Sequence, residues 1–302
     1  MNNNIDNTTF TYDFSNDSGR GKITGYNVFP GVTIAFNDFH MQYYDSDFAP
    51  GKDFFCIDYC REGRLEYESK EYTYSYVEAG DVKFDRRLTH MGRFEMPLSH
   101  YHGIMVGFDM ETASKALKEQ IKDFSVDLYE IRDKFCRTRF PRVLHGLNSI
   151  EHIFNEMFCV PEEIKMEYMK IKVFELLLFL KALNIPENTE EKPYFYKIRV
   201  EKVKAVQRFI KDNADKNFKQ EYLADKFDIP LTSMKQCFKS VYGCSIGEWL
   251  LQYRMNCAAV LLKNNKGLSV TEIASMFGYE SPSKFAIAFR KIMKQSPTQY
   301  RK

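Results

Sequence analysis

The sequence predicts an α+β chain of several domains: a β-barrel or sandwich first, a helical region next, and an all-helical C-terminal third. Three observations predict it. The 302 residues are 44% hydrophobic, which suits two or three domains with packed cores. Of the 46 aromatic residues, 21 fall before residue 109, in short runs broken by turn signals. The charge is also unevenly divided: residues 198–302 hold 19 Lys+Arg against 9 Asp+Glu, a net of +10. Since the whole chain is +2, residues 1–197 carry −8. A basic helical third on an acidic remainder points to a polyanion-binding module joined to something else.

Residues 1–20 are polar and read as loose or strand-forming. From about 26 to 109 the texture is β, with runs such as Thr33–Phe36, Phe54–Tyr59 and Leu65–Glu68. Pro30-Gly31, Pro50-Gly51, Glu62-Gly63 and Ala79-Gly80-Asp81 separate them as turns. Many short strands at such spacing mean a small barrel or sandwich. Helical texture begins at 111, with helices expected over 111–122, 145–158 and 161–183. The last is apolar almost all round, with Phe174, Leu176, Leu177, Leu178, Phe179 and Leu180 nearly continuous. Such a helix needs cover on more than one side, and a second copy of the chain supplies it in the simplest way, with Phe174 and Leu178 as the candidate contacts; residues 111–158 wrapping the helix within one chain are the alternative. Asn184 to Pro193, polar and holding two prolines, reads as a linker. The expected domains are therefore 1–110, 111–193 and 194–302.

No run approaches ~18 consecutive apolar residues, which argues against a membrane span. The start has neither a basic nor an apolar segment, unlike a secretory signal. Seven cysteines without a Cys-x-x-Cys pair read as reduced thiols of a cytoplasmic protein, not a disulfide frame or a zinc site. No paired carboxylates, Gly-rich phosphate loop or Ser/His/Asp arrangement proposes catalysis, so no catalytic residue, metal or cofactor is expected.

The C-terminal third is punctuated by helix caps. Ser245-Ile246-Gly247-Glu248 and Ser269-Val270-Thr271-Glu272 fit the capping box, and Ser281-Pro282 and Ser296-Pro297 place an N-cap before a first-turn proline. Gly243 and Gly278 sit where helices end. Seven helices follow, at about 198–213, 219–226, 231–241, 246–263, 270–276, 282–294 and 298–301. One design occurs twice: Leu223-Ala224, then Asp228-Ile229, Met234 and Phe238; and Ile273-Ala274, then Gly278-Tyr279, Phe285 and Phe289. Each is a short helix, a tight turn and a second helix, the layout of a helix-turn-helix motif. The spacing alone fits an ordinary helical bundle equally well.

From Leu223 to Lys302 the chain resembles the AraC/XylS family of bacterial transcription regulators. The resemblance rests on Phe238-Lys239, Gly243, Ser245, Arg254, Ala258, Leu261-Leu262, Ile273-Ala274, Phe277-Gly278-Tyr279, Phe285, Phe289-Arg290-Lys291, Ser296-Pro297 and Tyr300-Arg301. It implies two reading heads joined by the long helix near 246–263 and entering successive major grooves. The first reading helix would present Thr232, Ser233, Lys235 and Gln236 to the bases, with Lys239 toward phosphate. The second would present Ser283, Lys284, Ala286 and Ile287, with Arg290 and Lys291 toward the backbone. Three residues depart from the family pattern: Asp228 and Lys294 stand where glycine is usual, and Pro230 replaces a Ser-type N-cap. The partners implied are double-stranded DNA, a small-molecule effector, RNA polymerase and a second copy of the chain.

Residues 54–109 resemble, more weakly, the cupin-like barrel that many members carry as a sensor. The signs are a strand, Arg61-Glu62-Gly63-Arg64, a strand pair, and Gly80-Asp81-Val82 entering another strand. His100-Tyr101-His102 matches the first piece of a metal-cupin motif, but no Glu follows it within the strand, so metal is not expected. Strand alternation puts His100, His102, Ile104, Val106 and Phe108 on one face, and Cys56 and Cys60 on one face as buried small residues. Arg86, Arg93, His100 and His102, with Arg87 and His90 nearby in sequence, are the candidate residues for an acidic effector; surface charge around a barrel mouth is the alternative, and the aromatic residues suit a hydrophobic ligand cavity equally well. A metal-cupin enzyme fused to a DNA reader, and a ligand-free regulator governed by a partner protein, are the alternatives.

Overall fold

A computed structural model describes residues 8–50, 53–88, 90–184 and 194–302; the linker expected up to Pro193, and Gly51 of one expected turn, lie outside the described residues. The chain divides into two compact units, Met1–Tyr194 and Phe195–Lys302. Unit 1 is sheet-rich and unit 2 is helical.

The strands of unit 1 are β1 Thr9–Asn16, β2 Gly19–Phe29, β3 Val32–His40, β4 Tyr43–Ser46, β5 Phe54–Lys70, β6 Thr73–Glu78, β7 Val82–Asp85, β8 Gly92–Glu95, β9 Tyr101–Asp109 and β10 Arg142–Leu144. These strands pair antiparallel in the order β1-β2-β3-β9-β5, with β4 and β8 forming a small antiparallel ribbon. On its other edge β5 pairs with β7 over Cys56–Tyr59 and with β6 over Arg64–Lys70. β7 in turn pairs with β10. Glu62-Gly63 is not the turn expected from its residue types. β5 runs through it as one 17-residue strand, with a register shift between Cys60 and Glu62. Gly63 has φ +90°, and a Cβ there would stand 2.2 Å from the His100 carbonyl oxygen. Glycine here permits a bulge and a close strand approach, not a chain reversal.

Helices α1 Met110–Gln120, α2 Leu128–Phe135, α3 Asn148–Met157 and α4 Lys165–Ala182 follow, a 3₁₀ turn at Glu162–Ile164 leading into α4. Asp109 and Asp127 cap the first two by accepting from Thr112 N and Tyr129 N. These helices share one core with the sheet: Phe55, Ile57, Ile104, Val106 and Phe108 pack with Phe135, Ile153, Phe154, Val173, Leu176 and Leu180. The helices expected as a region of their own thus belong to the same compact unit. Among the described residues, no helix is long and apolar enough to cross a membrane.

α4 resolves its all-round hydrophobicity into two faces. Met169, Val173, Leu176, Leu177 and Leu180 are buried, and Phe174 packs against Phe29 and Phe124 at 5.5 and 5.0 Å between ring centres. Phe174 is therefore core-facing, contrary to its expected place at a dimer contact. Ile171 and Leu178 are exposed, and with Ile164 they form a stripe at seven-residue spacing.

The sheet face opposite the helices holds a buried charge network. Lys83 Nζ lies 3.2 Å from Asp58 and 3.4 Å from Asp85, and Arg87 reaches the same two carboxylates at 2.7 and 3.1 Å. Two cations and two anions compensate one another, as burial demands. Burial would raise the Asp85 carboxyl, but Lys83 and Arg87 overcome it and hold it at about 2. His90 beside them is pushed down to about 2, first by burial and then by Arg87 and Lys83, and so stays neutral. The unfolded chain takes a proton on His90 below pH ~6.5 and the native chain does not, so acidification costs stability. The expected loss is up to ~1.4 kcal/mol per pH unit below ~6.5, with Asp85 adding to it below ~3.9. Urea unfolding at pH 7, 6 and 5 checks this: His90→Gln should flatten the slope by one proton, and an unchanged slope would mean that native His90 is charged.

Unit 2 consists of α5 Lys197–Asp212, α6 Gln220–Lys226, α7 Leu231–Tyr242, α8 Ile246–Asn264, α9 Val270–Met276, α10 Pro282–Met293 and α11 Pro297–Arg301. The ends fall where the caps were read. Ser245–Glu248, Ser269–Glu272 and Ser296–Gln299 form reciprocal capping boxes, and Ser281 accepts from Lys284 N.

Candidate nucleic-acid interface

The first head is α6, a turn and α7. Met234, Cys237, Phe238 and Val241 on α7 are buried together with Leu223 and Ala224 of α6. Burying that stripe turns the opposite one outward. Thr232, Lys235, Gln236 and Lys239, at spacings of three and four, are exposed, and Ser233 is half-buried. α7 contains no acidic residue along its length. Its first turn lacks a side-chain cap, since Pro230 occupies the N-cap position. The turn before it is held instead from α5: Lys202 Nζ donates to the Asp228 carbonyl oxygen and sits 2.8 Å from its carboxylate. Nothing in the sequence marks Lys202, which lies 26 residues from its partner.

The second head repeats the design in α9, a turn and α10. Phe285 and Phe289 are fully buried with Ile273 and Ala274, in one core with Met255, Ala258 and Leu262 of α8. Ser283, Lys284, Ile287, Arg290 and Lys291 are exposed, and Ala286 is half-buried. Ile287 is 72% exposed, an apolar side chain with no core to serve. α10 likewise contains no acidic residue. Lys294, at the expected glycine position, takes the left-handed conformation with φ +60° and closes the helix.

The heads are tied through α8 and the loop before α6. Arg254 of α8 is buried, and its guanidinium donates to the carbonyl oxygens of Ala214 and Lys216, the latter at 2.8 Å. The turn of the second head rests on the same loop: a Cβ on Gly278 would stand 2.0 Å from the Asp215 carbonyl oxygen. The equivalent turn residue, Asp228, has φ +48° but a side chain 99% exposed. A side chain is thus tolerated in one turn and sterically excluded from the other. α8, at 19 residues, is ~28 Å long, comparable to the ~34 Å between successive major grooves.

The candidate effector residues of unit 1 are held by separate partners. Arg86 pairs with Asp53 at 3.1 Å; Arg93 pairs with Asp45 at 2.9 Å and lies over the Tyr43 ring. His100 and His102 are near one another, with ring centres 5.8 Å apart. His100 contacts the Leu98 carbonyl, whereas His102 faces Asp38, His40 and Glu62. Each arginine therefore pairs with a different carboxylate, Asp53 serving Arg132 as well, and no contact among the described residues joins the four. Cys56 is buried and its thiol is pushed up to about 12 by burial, which leaves it inert.

Comparison with known proteins bears on this interface. Residues 223–302 match the family described as helix-turn-helix domain. The chain is 23% identical over 287 residues to the Msm operon regulatory protein of Streptococcus mutans, covering 91% of this chain and 97% of that one. It is 33% identical over 96 residues to the virulence regulon transcriptional activator VirF of Yersinia enterocolitica, where it spans 35% of the relative's length and 32% of its own. Among solved structures it is similar to the C-terminal domain of AraT, a response regulator from Geobacillus stearothermophilus. That likeness is 30% identical and covers 33% of this chain and 83% of that one, with a TM-score of 0.32. The paired helix-turn-helix heads, the matched domain over residues 223–302 and these sequence relatives together make the chain a DNA-binding transcription regulator with an AraC-type helix-turn-helix domain at its C-terminus.

Proposed function

We propose that the chain is a dimeric, effector-responsive regulator whose two heads read successive major grooves of one operator. The observation that carries this reading is the pair of exposed, acid-free faces on α7 and α10, each backed by its own core and both braced on α8. Gln236 would take adenine and Lys235 guanine, Thr232 and Ser233 completing the first face. Lys239, Arg290 and Lys291 would hold phosphates, and Ser283, Lys284, Ala286 and Ile287 would read the second site, the apolar pair against thymine methyls. Unit 1 supplies regulation: a cupin-like barrel responding to a small molecule, in a cytoplasmic protein with no enzymatic step. The stripe of Ile171 and Leu178 on α4, with Ile164 in the turn before it, suits a second copy of the chain. A dimer brings four heads to a long operator and multiplies affinity through effective concentration.

Binding measurements on selected operator fragments test the reading of DNA. Gln236→Ala should cost about 1–3 kcal/mol and relax preference at one base pair. Lys239→Ala should weaken binding to all sequences and lower the salt slope by about one. Intact affinity and preference in Gln236→Ala would mean that the register of α7 on the bases is different. Residues 194–302 alone should bind the same DNA at low salt and ignore effectors.

Light scattering at micromolar concentration tests assembly. The expected result is a dimer that dissociates in Ile171→Glu/Leu178→Glu with the fold retained. Phe174→Glu should unfold unit 1 instead, because that ring packs against Phe29 and Phe124. A monomer in the unsubstituted chain would exclude this interface.

A further inference from the structure

A carboxylate and two imidazoles converge where β3 meets β9. Asp38 and His40, two apart on β3, project from the same face, and Asp38 is in register with His102 of β9. Asp38 Oδ1 lies 3.0 Å from His40 Nε2 and 3.2 Å from His102 Nε2, and the three atoms all fall within 4.8 Å of one another. With bonds of ~2.0–2.1 Å to a tetrahedral ion, neighbouring donors are separated by ~3.3 Å. The two nitrogen–oxygen edges are thus nearly those of such a site already, and small rotations of two half-exposed side chains close the third.

His102 is the decisive residue. Its Nε2 is shut off from solvent and has no hydrogen-bond partner among the described residues, although Asp38 Oδ1 is at contact distance. An N–H in that place would meet Asp38 only at poor hydrogen-bond geometry, whereas a lone pair aimed at a cation shared with that carboxylate would be satisfied. On its other side, Nδ1 faces Glu62 Oε2 at 3.6 Å, across the register pair Glu62–His102 on β5. That separation is just outside hydrogen-bond distance, and a slight approach of the exposed Glu62 carboxylate would hold the proton on Nδ1 and free Nε2 to ligate, the arrangement that orients metal-bound histidines. Beside Asp38 and His40 opens a cleft of about 500 Å³, bordered also by Asp13, Ser15, Arg20 and Lys22. Three protein donors leave further coordination positions for water or an anion, and Arg20 and Lys22 favour an anion there.

We propose that Asp38, His40 and His102 form a binding site for a divalent transition-metal ion of the Zn²⁺ class, with Glu62 as the residue that positions His102. A second group, Glu78, Asp81 and His145, does not compete. Asp81 already accepts from Glu78 N and meets His145 Nδ1, each at 2.8 Å, and Arg64 occupies the Glu78 carboxylate.

The test is calorimetric titration of Zn²⁺ into the full, tag-free chain after chelator treatment, with Co²⁺ as an optical probe. One ion should bind per chain, and Co²⁺ should show ligand-field bands without thiolate charge transfer. His40→Ala and His102→Ala should each weaken binding at least about tenfold, and Glu62→Gln about ten- to a hundredfold. His145→Ala should leave it unchanged. Unfolding of each apo-variant by heat checks that the fold persists, and His102→Gln serves if His102→Ala fails to fold. Absence of binding, a thiolate band, or undiminished affinity in the His40→Ala/His102→Ala double variant would overturn the proposal.

Discussion

The DNA reader depends on one constraint: α8 must be gripped at both ends while it carries a head on each. Its C-terminal half is locked by a core of its own, Ala258 and Leu262 packing with Ile273, Phe285 and Phe289. Toward its N-terminal end, Trp249 stacks on Tyr253 and meets Phe238 of α7 edge-on. Arg254, between these halves, spends its donors on a loop and not on nucleic acid. A buried guanidinium is expensive unless its donors are met, so this grip either holds fully or fails. The placement of α7 and α10 follows from it.

Unit 1 follows a different logic. Its helices and sheet bury one shared apolar core, while the opposite sheet face hides a compensated set of charges among Asp58, Lys83, Asp85 and Arg87. The network ties β5 to β7 by side chains as well as by backbone pairing. α4 stands between the two demands placed on it. Its inner face completes the core, and even Lys172 there is neutralised by Glu156 and Glu175. Its outer stripe is left for another surface.

Local rules were legible in the sequence wherever chemistry acts over three or four residues. Ser245, Ser269, Ser281 and Ser296 marked helix starts because a cap is a local hydrogen bond. Asp228 could be read in its turn because its left-handed backbone is a property of one residue. Facts that depend on strand register were hidden. Arg86 and Arg93 look like a cluster in sequence, yet Asp53 and Asp45 reach them from 33 and 48 residues away. His102 appeared to lack a carboxylate because only its own strand was searched, whereas Asp38 and Glu62 flank it from the neighbouring strands. Phe174 was misplaced for a related reason: on a helix apolar all round, periodicity cannot say which side meets the core.

The unequal turns of the two heads have an evolutionary consequence. At 228 the side chain projects into solvent and meets Lys202 there, so drift is limited by that ion pair and by a left-handed backbone, not by steric exclusion. At 278 a carbonyl oxygen occupies the space of any β-carbon, and every replacement must displace the loop that Arg254 also holds. The two copies of one ancestral-looking design are therefore no longer exchangeable. A change of side chain in the first turn leaves the brace between the heads in place, whereas any change in the second displaces the loop that braces α8.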